Sequence, residues 1–264
     1  MTAPQASLDE DSLALVHFSL SRQGDRIYNE DAYCHARDQE VVSFAVADGM
    51  GGAAGGMRAS AIAMASIRQC KLTLDLNDFS HQFVAISDAI KKEQSTKPEV
   101  ASMCTTIAEL RIDTYSQRAT WAHWGDTRVY WFRNHELRAM TKDHSVVQSL
   151  VAAGLISNEE ALTYPKRNVL LGAAGSASEV GPSVLENPVA VTNGDAFLIC
   201  TDGVWSMVST QFMETSLSKS VSVQDWVNTL MDEVARVGSG SNDNFTATGV
   251  WITADSEKTI SPGF

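Results

Sequence analysis

Val41-Val42-Ser43-Phe44-Ala45-Val46-Ala47-Asp48-Gly49-Met50-Gly51-Gly52 is an apolar, β-branched run that stops at an acid and a cluster of glycines. Such a run reads as a buried strand whose end is turned by glycine. The pattern recurs as Ala196-Phe197-Leu198-Ile199-Cys200-Thr201-Asp202-Gly203. Two buried strands that each deliver a carboxylate at a glycine predict a shared site at the strand ends. Clustered carboxylates suit a hard cation. A second reading of the first stretch stays open here. Gly49-x-Gly51-x-x-Ala54, between a strand and a helix, has the outline of a dinucleotide fingerprint, with Asp75 suitably placed beyond it. That reading gives Asp48 and the second Asp-Gly strand no role.

Composition narrows the class. At 264 residues with 44% hydrophobic content, the chain is long and apolar enough to bury a sizeable core. No Pro/Gly/Ser-rich linker or low-complexity run divides it, so residues 13–254 read as one domain, 1–12 as a flexible leader and 255–264 as a frayed tail. No apolar run approaches the roughly 18 residues of a membrane span, and the acidic start lacks the pattern of a signal peptide. A formal charge of −12 disfavours a nucleic-acid partner. Cys34, Cys70, Cys104 and Cys200 form no Cys-x-x-Cys pair. They read as buried thiols in a reducing cytosol, so a cytoplasmic location is expected.

Working outward, Leu13 to Ser21 alternates like a strand and runs into Gly24-Asp25-Arg26-Ile27-Tyr28-Asn29-Glu30-Asp31. This puts a phosphate-type cation beside potential metal ligands; the competing reading is a solvated turn with a local ion pair. Met57 to Gln69 and residues 81–95 have helical apolar spacing, the latter carrying Phe83, Ile86 and Ile90. Strands are expected over 104–112, 118–125, 128–133 and just after 134–136, paired antiparallel because their connections are short. Gly125-Asp126 reads as an acid at a hairpin turn. Val146 to Ala153 and a capping box at Ser157-Asn158-Glu159-Glu160 make two short helices, ended by Tyr164-Pro165. This is the segment most readily mobile. Ser222 is expected to cap a helix carrying Trp226, Leu230, Val234 and Val237, and Phe245 to Ile252 alternates like a last strand.

Asp31, Asp48, Asp126, Asp202 and Asp243 each lie in a turn or at a strand end. All-oxygen donors select Mg²⁺ or Mn²⁺, and the absence of a His/Cys cluster disfavours Zn²⁺. Two such ions activate water near neutral pH and stabilise an in-line displacement at phosphorus, while the fork of Arg26 grips phosphate oxygens. Together these features point to phosphate-ester hydrolysis. There is no His-Glu-x-x-His, no Gly-x-Ser-x-Gly and no Walker motif. His123 reads as structural, His144 as a local hydrogen-bonding residue, and Trp121, Trp124 and Trp131 as core or sheet-face residues.

Eight short motifs then fall in a recognisable order: Arg26-x-x-Asn29-Glu30-Asp31, Asp48-Gly49-Met50-Gly51-Gly52, Cys104-Thr105-Thr106, Gly125-Asp126-Thr127-Arg128, Thr141-Lys142-Asp143-His144-Ser145, Arg167-Asn168-Val169-Leu170, Thr201-Asp202-Gly203-Val204-Trp205 and Asp243-Asn244-Phe245-Thr246. The chain resembles the metal-dependent serine/threonine protein phosphatases of type 2C, especially their compact bacterial members. The resemblance implies an α+β fold, a four-layer α/β/β/α sandwich of two antiparallel sheets between helices. It implies hydrolysis of phosphoserine and phosphothreonine in proteins by a water or hydroxide bridging two Mn²⁺ or Mg²⁺ ions. Asp48 then resembles the bridging carboxylate, Gly49 a carbonyl ligand, and Asp202 and Asp243 the remaining direct ligands. Asp31 and Glu30 resemble holders of metal-bound water, Arg26 the phosphate clamp, and Asn244 a support beside Asp243. Asp126, with Asp202, resembles a weaker third metal site, and residues 145–168 a flap beside the active site. The implied partners are phosphoproteins, those of a cognate serine/threonine kinase, with no membrane or nucleic acid, and the protein is expected to be a monomer.

Four positions depart from the family pattern. Met50 stands where many relatives have a histidine assigned as general acid, so a water near Asp126 would have to supply the proton. Cys104 replaces a glycine, Ser206 an aspartate after the tryptophan, and Tyr164 a histidine before the flap proline. The metal-ligand positions are all present, which disfavours a silent phosphoprotein-binding scaffold.

Overall fold

The computed structural model describes residues 13–254 apart from Glu179 and Ser239. The leader (1–12) and the tail (255–264) expected from the sequence lie outside the described residues. The strands are β1 (Leu13–Arg22), β2 (Asp31–Asp38), β3 (Val41–Met50), β4 (Cys104–Asp113), β5 (Arg118–Trp124), β6 (Arg128–Arg133), β7 (Glu136–Met140), the two-residue β8 (Ser183–Val184) and β9 (Val189–Ala190), β10 (Asp195–Cys200) and β11 (Phe245–Ala254). They form two sheets, β1-β11-β10-β6-β7 and β2-β3-β4-β5-β8, with β9 also on β5. Every pairing is antiparallel.

The helices are α1 (Ala53–Gln69), α2 (Leu76–Thr96), α3 (Val146–Ala152), α4 (Asn158–Thr163), α5 (Asp202–Trp205), α6 (Thr210–Lys219) and α7 (Val223–Gly238). Side-chain alternation along β3 shows how the layers form. Phe44 and Val46 join Leu110, Phe197, Ile199 and Val250 between the two sheets. Ala45 and Ala47 face the other way, against Ala63, Ile67, Phe83 and Ile86 of α1 and α2. A strand buried on both faces carries a continuous apolar run, and alanine on its outer face lets a helix approach closely. On the opposite side, Leu198, Cys200 and Ala247 pack under Trp226, Leu230 and Val234 of α7. The four-layer sandwich expected from the sequence is therefore present.

Several local features differ from the sequence reading. β2 was not expected, because Asp31-Ala32-Tyr33-Cys34-His35-Ala36-Arg37-Asp38 is a polar edge strand in which only Cys34 is fully buried. α1 starts at Ala53 rather than Met57, taking Gly55 and Gly56 into its first turns. α6, capped by Ser209, was also missed. Val237 is 42% exposed, and Val227 and Met231 complete the buried stripe of α7 instead. Asp75 accepts hydrogen bonds from the backbone of Asn77 and Asp78 and caps α2. The acid that a dinucleotide site would need is therefore a helix cap, and that reading falls. Ser222 and the Ser157–Glu160 box cap as expected.

The two Asp-Gly glycines share one cause. A Cβ on Gly49 would lie 2.1 Å from the carbonyl oxygen of Gly56, and one on Gly203 would lie 2.1 Å from that of Asn244. Neither has a left-handed φ, so close backbone approach demands glycine at both positions. Gly181 is exposed, and a Cβ there would meet nothing within 4 Å. Gly203→Ala is accordingly expected to cost about 3 kcal/mol, the scale of overpacking against backbone. Gly181→Ala should stay within about 0.5 kcal/mol, as surface changes do. Urea unfolding of the two variants checks the difference; equal stabilities would refute the packing argument.

Candidate metal centre and active site

Asp31 opens β2 directly opposite Asp48 near the end of β3. Asp48 is fixed by threonines of β4: its N–H donates to Thr106 Oγ1 at 3.3 Å, and Thr105 Oγ1 donates to its carbonyl at 2.8 Å. Thr106 Oγ1 is also 2.5 Å from Thr127 Oγ1, which ties the Gly125–Thr127 turn to the same strand. From the other sheet, Thr201 Oγ1 donates to Asp31 Oδ2 at 3.0 Å and accepts the Thr246 N–H at 3.0 Å. One hydroxyl thus links β2 of one sheet to the β10 and β11 ends of the other. Asp202 follows at once as the first residue of α5, a helix start rather than the turn expected.

Asp126 is buried at the β5–β6 connection and held from two sides. Its carbonyl accepts from Trp205 Nε1 at 2.8 Å, so α5 carries both Asp202 and a grip on Asp126. The Trp205 ring is covered by the Arg128 guanidinium, 3.6 Å from its centroid, and Arg128 is bound by both oxygens of Asp143 at 2.8 and 2.7 Å. Gly125 donates its N–H to His144 Nδ1 at 3.1 Å and accepts the His144 N–H at 2.9 Å. His144 therefore holds its ring proton on Nε2, toward Ser183 Oγ at 2.8 Å. His123 stacks on it at 4.5 Å and donates to the Lys142 carbonyl, so both histidines are structural.

The loop before β2 is pinned by one buried amide. Asn244 Oδ1 accepts the Glu30 N–H at 2.8 Å, and Asn244 Nδ2 donates to the carbonyls of Gln23 and Tyr28 at 2.7 and 2.8 Å. Arg26, which the loop carries, is exposed and donates to Asp243 Oδ2 at 2.6 Å. The local ion pair of the competing reading is not what forms: Arg26 pairs with Asp243 from the far end of the chain, one of the acids expected to hold metal.

Burial first, and the neighbouring acids second, push the Asp48 carboxyl well above its ordinary range. Burial likewise raises Asp31 to about 7, Asp126 to about 8 and Asp202 to about 6, with each feeling other acids of the group. Glu30 is raised by burial as well. Asp31 Oδ1 and Glu30 Oε1 are buried without any hydrogen-bond partner. Among the described residues no three His, Cys, Asp or Glu side chains close into a ready cage. The carboxylates are near enough to penalise one another's charge while leaving positions for water. That suits Mg²⁺ or Mn²⁺, which bind through a few carboxylates and keep several waters. The donor set therefore fits such ions.

Residues 20–239 match the profile of the protein phosphatase 2C family. The chain belongs to that family. It is 29% identical to a serine/threonine phosphatase of Listeria monocytogenes over 85% of this chain and 91% of the relative. The serine/threonine phosphatase PstP/Ppp of Mycobacterium tuberculosis superposes with a TM-score of 0.78 at 29% identity, covering 90% of this chain and 98% of the other. A PstP catalytic domain in complex with two manganese ions gives a TM-score of 0.77 at 29% identity, over 91% and 99% of the two chains.

In this type 2C phosphatase the structure gathers Asp31, Asp48, Asp126, Asp202 and Asp243 around one end of the sandwich, with Gly49 in β3 beside them. Arg26 and Asn244 join them through Asp243 and the loop. Sequence reasoning missed the threonines as a group. Thr105, Thr106, Thr201 and Thr246 are all fully buried. Their signal was available, since a threonine adjoins an acid or its cross-strand partner in three motifs. Trp205, Arg128 and Asp143 were quoted as motif letters without a role. A surface hollow of about 310 Å³ is lined by Thr163 to Val169 and by none of the acids. No helix among the described residues is long and apolar enough to cross a membrane.

The raised carboxyls set the pH response of the chelator-treated phosphatase. Its unfolded chain ionises Asp31 and Asp126 near 3.8, while the folded chain holds those protons to about 7 and about 8. Raising pH through this window therefore favours unfolding. His144, lowered to about 4 by burial and by His123, slopes the other way only below about pH 6.5. The melting temperature in chelator should fall between pH 6.5 and 8.5, and fall less in Asp126→Asn. Parallel curves for the two proteins would contradict this.

Proposed function

We propose that this protein hydrolyses phosphoserine and phosphothreonine in proteins, using Mn²⁺ or Mg²⁺. The observation that carries the reading is the pairing of Asp31 with Asp48 in register, beside Asp202, with a buried oxygen of Asp31 left unpartnered. Such a cluster is costly without a cation. The names of the relatives support the substrate class, and the two manganese ions of the PstP catalytic domain support the ion count.

Asp48, the Gly49 carbonyl, Asp202 and Asp243 would hold two ions, with Asp31 and Glu30 acting through water. Asp126 with Asp202 would hold a weaker third. When bound, such ions lower the pKa of water and neutralise charge on phosphate oxygens. The chain's own residues do the rest. Arg26, bonded to Asp243 through one nitrogen, has further N–H groups to offer the phosphate, and its exposed position puts them in reach of a protein substrate. Asn244 holds the loop that aims Arg26. Met50 has no proton to give, so the leaving alkoxide takes its proton from water near Asp126. Residues 145–168 would form a flap beside this end, and Thr163 to Asn168 of it line the hollow. We infer a monomer serving the substrates of a partner serine/threonine kinase in the cytoplasm.

A phosphothreonine peptide should be hydrolysed with Mn²⁺ and stop with exhaustive chelation. Asp202→Asn should lose at least roughly 100-fold in kcat, the scale of removing a group that stabilises transition-state charge. Its chelator-treated form should melt no lower than the wild type, because one repelling charge is gone. Activity that survives chelation would refute the metal chemistry, and a fully active Asp202→Asn would remove that residue from it.

A further inference from the structure

The loop that presents Arg26 also presents two apolar side chains, and these have no place in the reaction described. Ile27 is 81% and Tyr28 50% exposed. Single exposed apolar residues are common and need no explanation. Two features set this pair apart.

The first is rigidity. Gln23 Nε2 donates to the carbonyls of Arg26 and Ile27 at 2.6 and 3.1 Å, and Asn244 Nδ2 holds the carbonyl of Tyr28. Asp25 and Asn242 exchange two further bonds at the start of the loop, 3.0 and 2.7 Å long. The backbone under both side chains is ordered before any partner arrives, so contact with them forfeits little conformational freedom. The second is position. Consecutive Cα atoms are about 3.8 Å apart, so Ile27 and Tyr28 lie within about 8 Å of Arg26 along the chain. A substrate with its phosphate at Arg26 advances about 3.4 Å per residue, so its three nearest neighbours on either side pass through the same zone.

We propose that Ile27 and Tyr28 form a specificity edge that receives an apolar side chain of the substrate within three residues of the phosphorylated serine or threonine. The proposal rests on the phosphatase reading given above. The occupant is a substrate polypeptide rather than a second copy of this chain or an anionic membrane. Asp25 and Glu30 lie within three residues of the pair in sequence, Asp243 is bonded to the neighbouring Arg26, and the chain carries a formal charge of −12, so extended like-charged surfaces are repelled.

The test uses the Mn²⁺-loaded protein and two phosphothreonine peptides that are identical except for Leu or Ser at the positions flanking the phosphoresidue. p-Nitrophenyl phosphate serves as a substrate without flanks. The wild type should prefer the Leu peptide by roughly tenfold in kcat/KM, the discrimination a partly buried aliphatic side chain gives. The preference should sit mainly in KM. In the Ile27→Ser/Tyr28→Ser protein it should collapse to within about twofold, and the ratio of Leu-peptide to p-nitrophenyl phosphate turnover should fall. Tyr28→Phe, which keeps the apolar ring, should retain the preference. Equal turnover of both peptides by the wild type, or an unchanged preference in the double variant, would overturn the specificity edge and leave the phosphatase reading standing. Failure to hydrolyse either peptide or the small ester would overturn both.

Discussion

Burial of carboxylates gathered at one end of the sandwich, compounded by their mutual repulsion, is the constraint around which this structure is arranged. Asp31, Asp48, Asp126 and Asp202 come from a strand start, a strand end, a strand connection and a helix start, and burial and proximity raise the proton affinity of all four. Shifts of that kind correspond to several kcal/mol of unfavourable energy when the groups ionise. Burial outweighs the local groups that offset part of the cost: the Gly203 backbone at Asp202, the Thr201 hydroxyl at Asp31, and the Arg128 charge and a backbone N–H at Asp126. The remainder is met by the apolar core between the sheets and by the two helix-covered cores outside them. A fold that retains such a cluster stores affinity for cations at that place, since a bound ion removes the repulsion that the chain alone must carry.

Asp31, Asp48 and the Asp126 turn keep their positions through neutral groups, while Asp243 is salt-bridged to Arg26. Threonine hydroxyls connect Asp48 to β4, the Asp126 turn to β4, and Asp31 to the opposite sheet. A hydroxyl both donates and accepts, so it can bond a carboxylate oxygen and a backbone N–H together without adding charge. Thr201 does this and joins the two sheets where they must stay in register. The cations nearby have other tasks. Arg128 is occupied by Asp143 and by the face of Trp205. Arg26 alone of the two reaches an acid of the group, and from the solvent side.

Most of the sandwich was legible because its central strands are buried on both faces and so carry long apolar runs. Edge elements were not. β2 is polar and half exposed, and its role as the partner that sets Asp31 against Asp48 rests on pairing that no local pattern encodes. The glycine-rich stretch looked like a phosphate cradle in part because a fingerprint records spacing and not what approaches. In the fold Gly49 makes room for the Gly56 backbone, and Asp75 caps α2. The acids were found individually by their turn and strand-end settings. The connections among them, Thr201 to Asp31, Trp205 to Asp126 and Arg26 to Asp243, span between 79 and 217 residues of sequence and are properties of the assembled sheets.

The central claim is that the gathered acids are a binding site for divalent cations. Diffraction at the manganese absorption edge, from crystals of the protein grown with Mn²⁺, tests it most directly. Two strong anomalous peaks should lie between Asp48, Asp202 and Asp243, with Asp48 touching both. Manganese found only on surface carboxylates, with Asp31 and Asp48 free of it, would contradict the account.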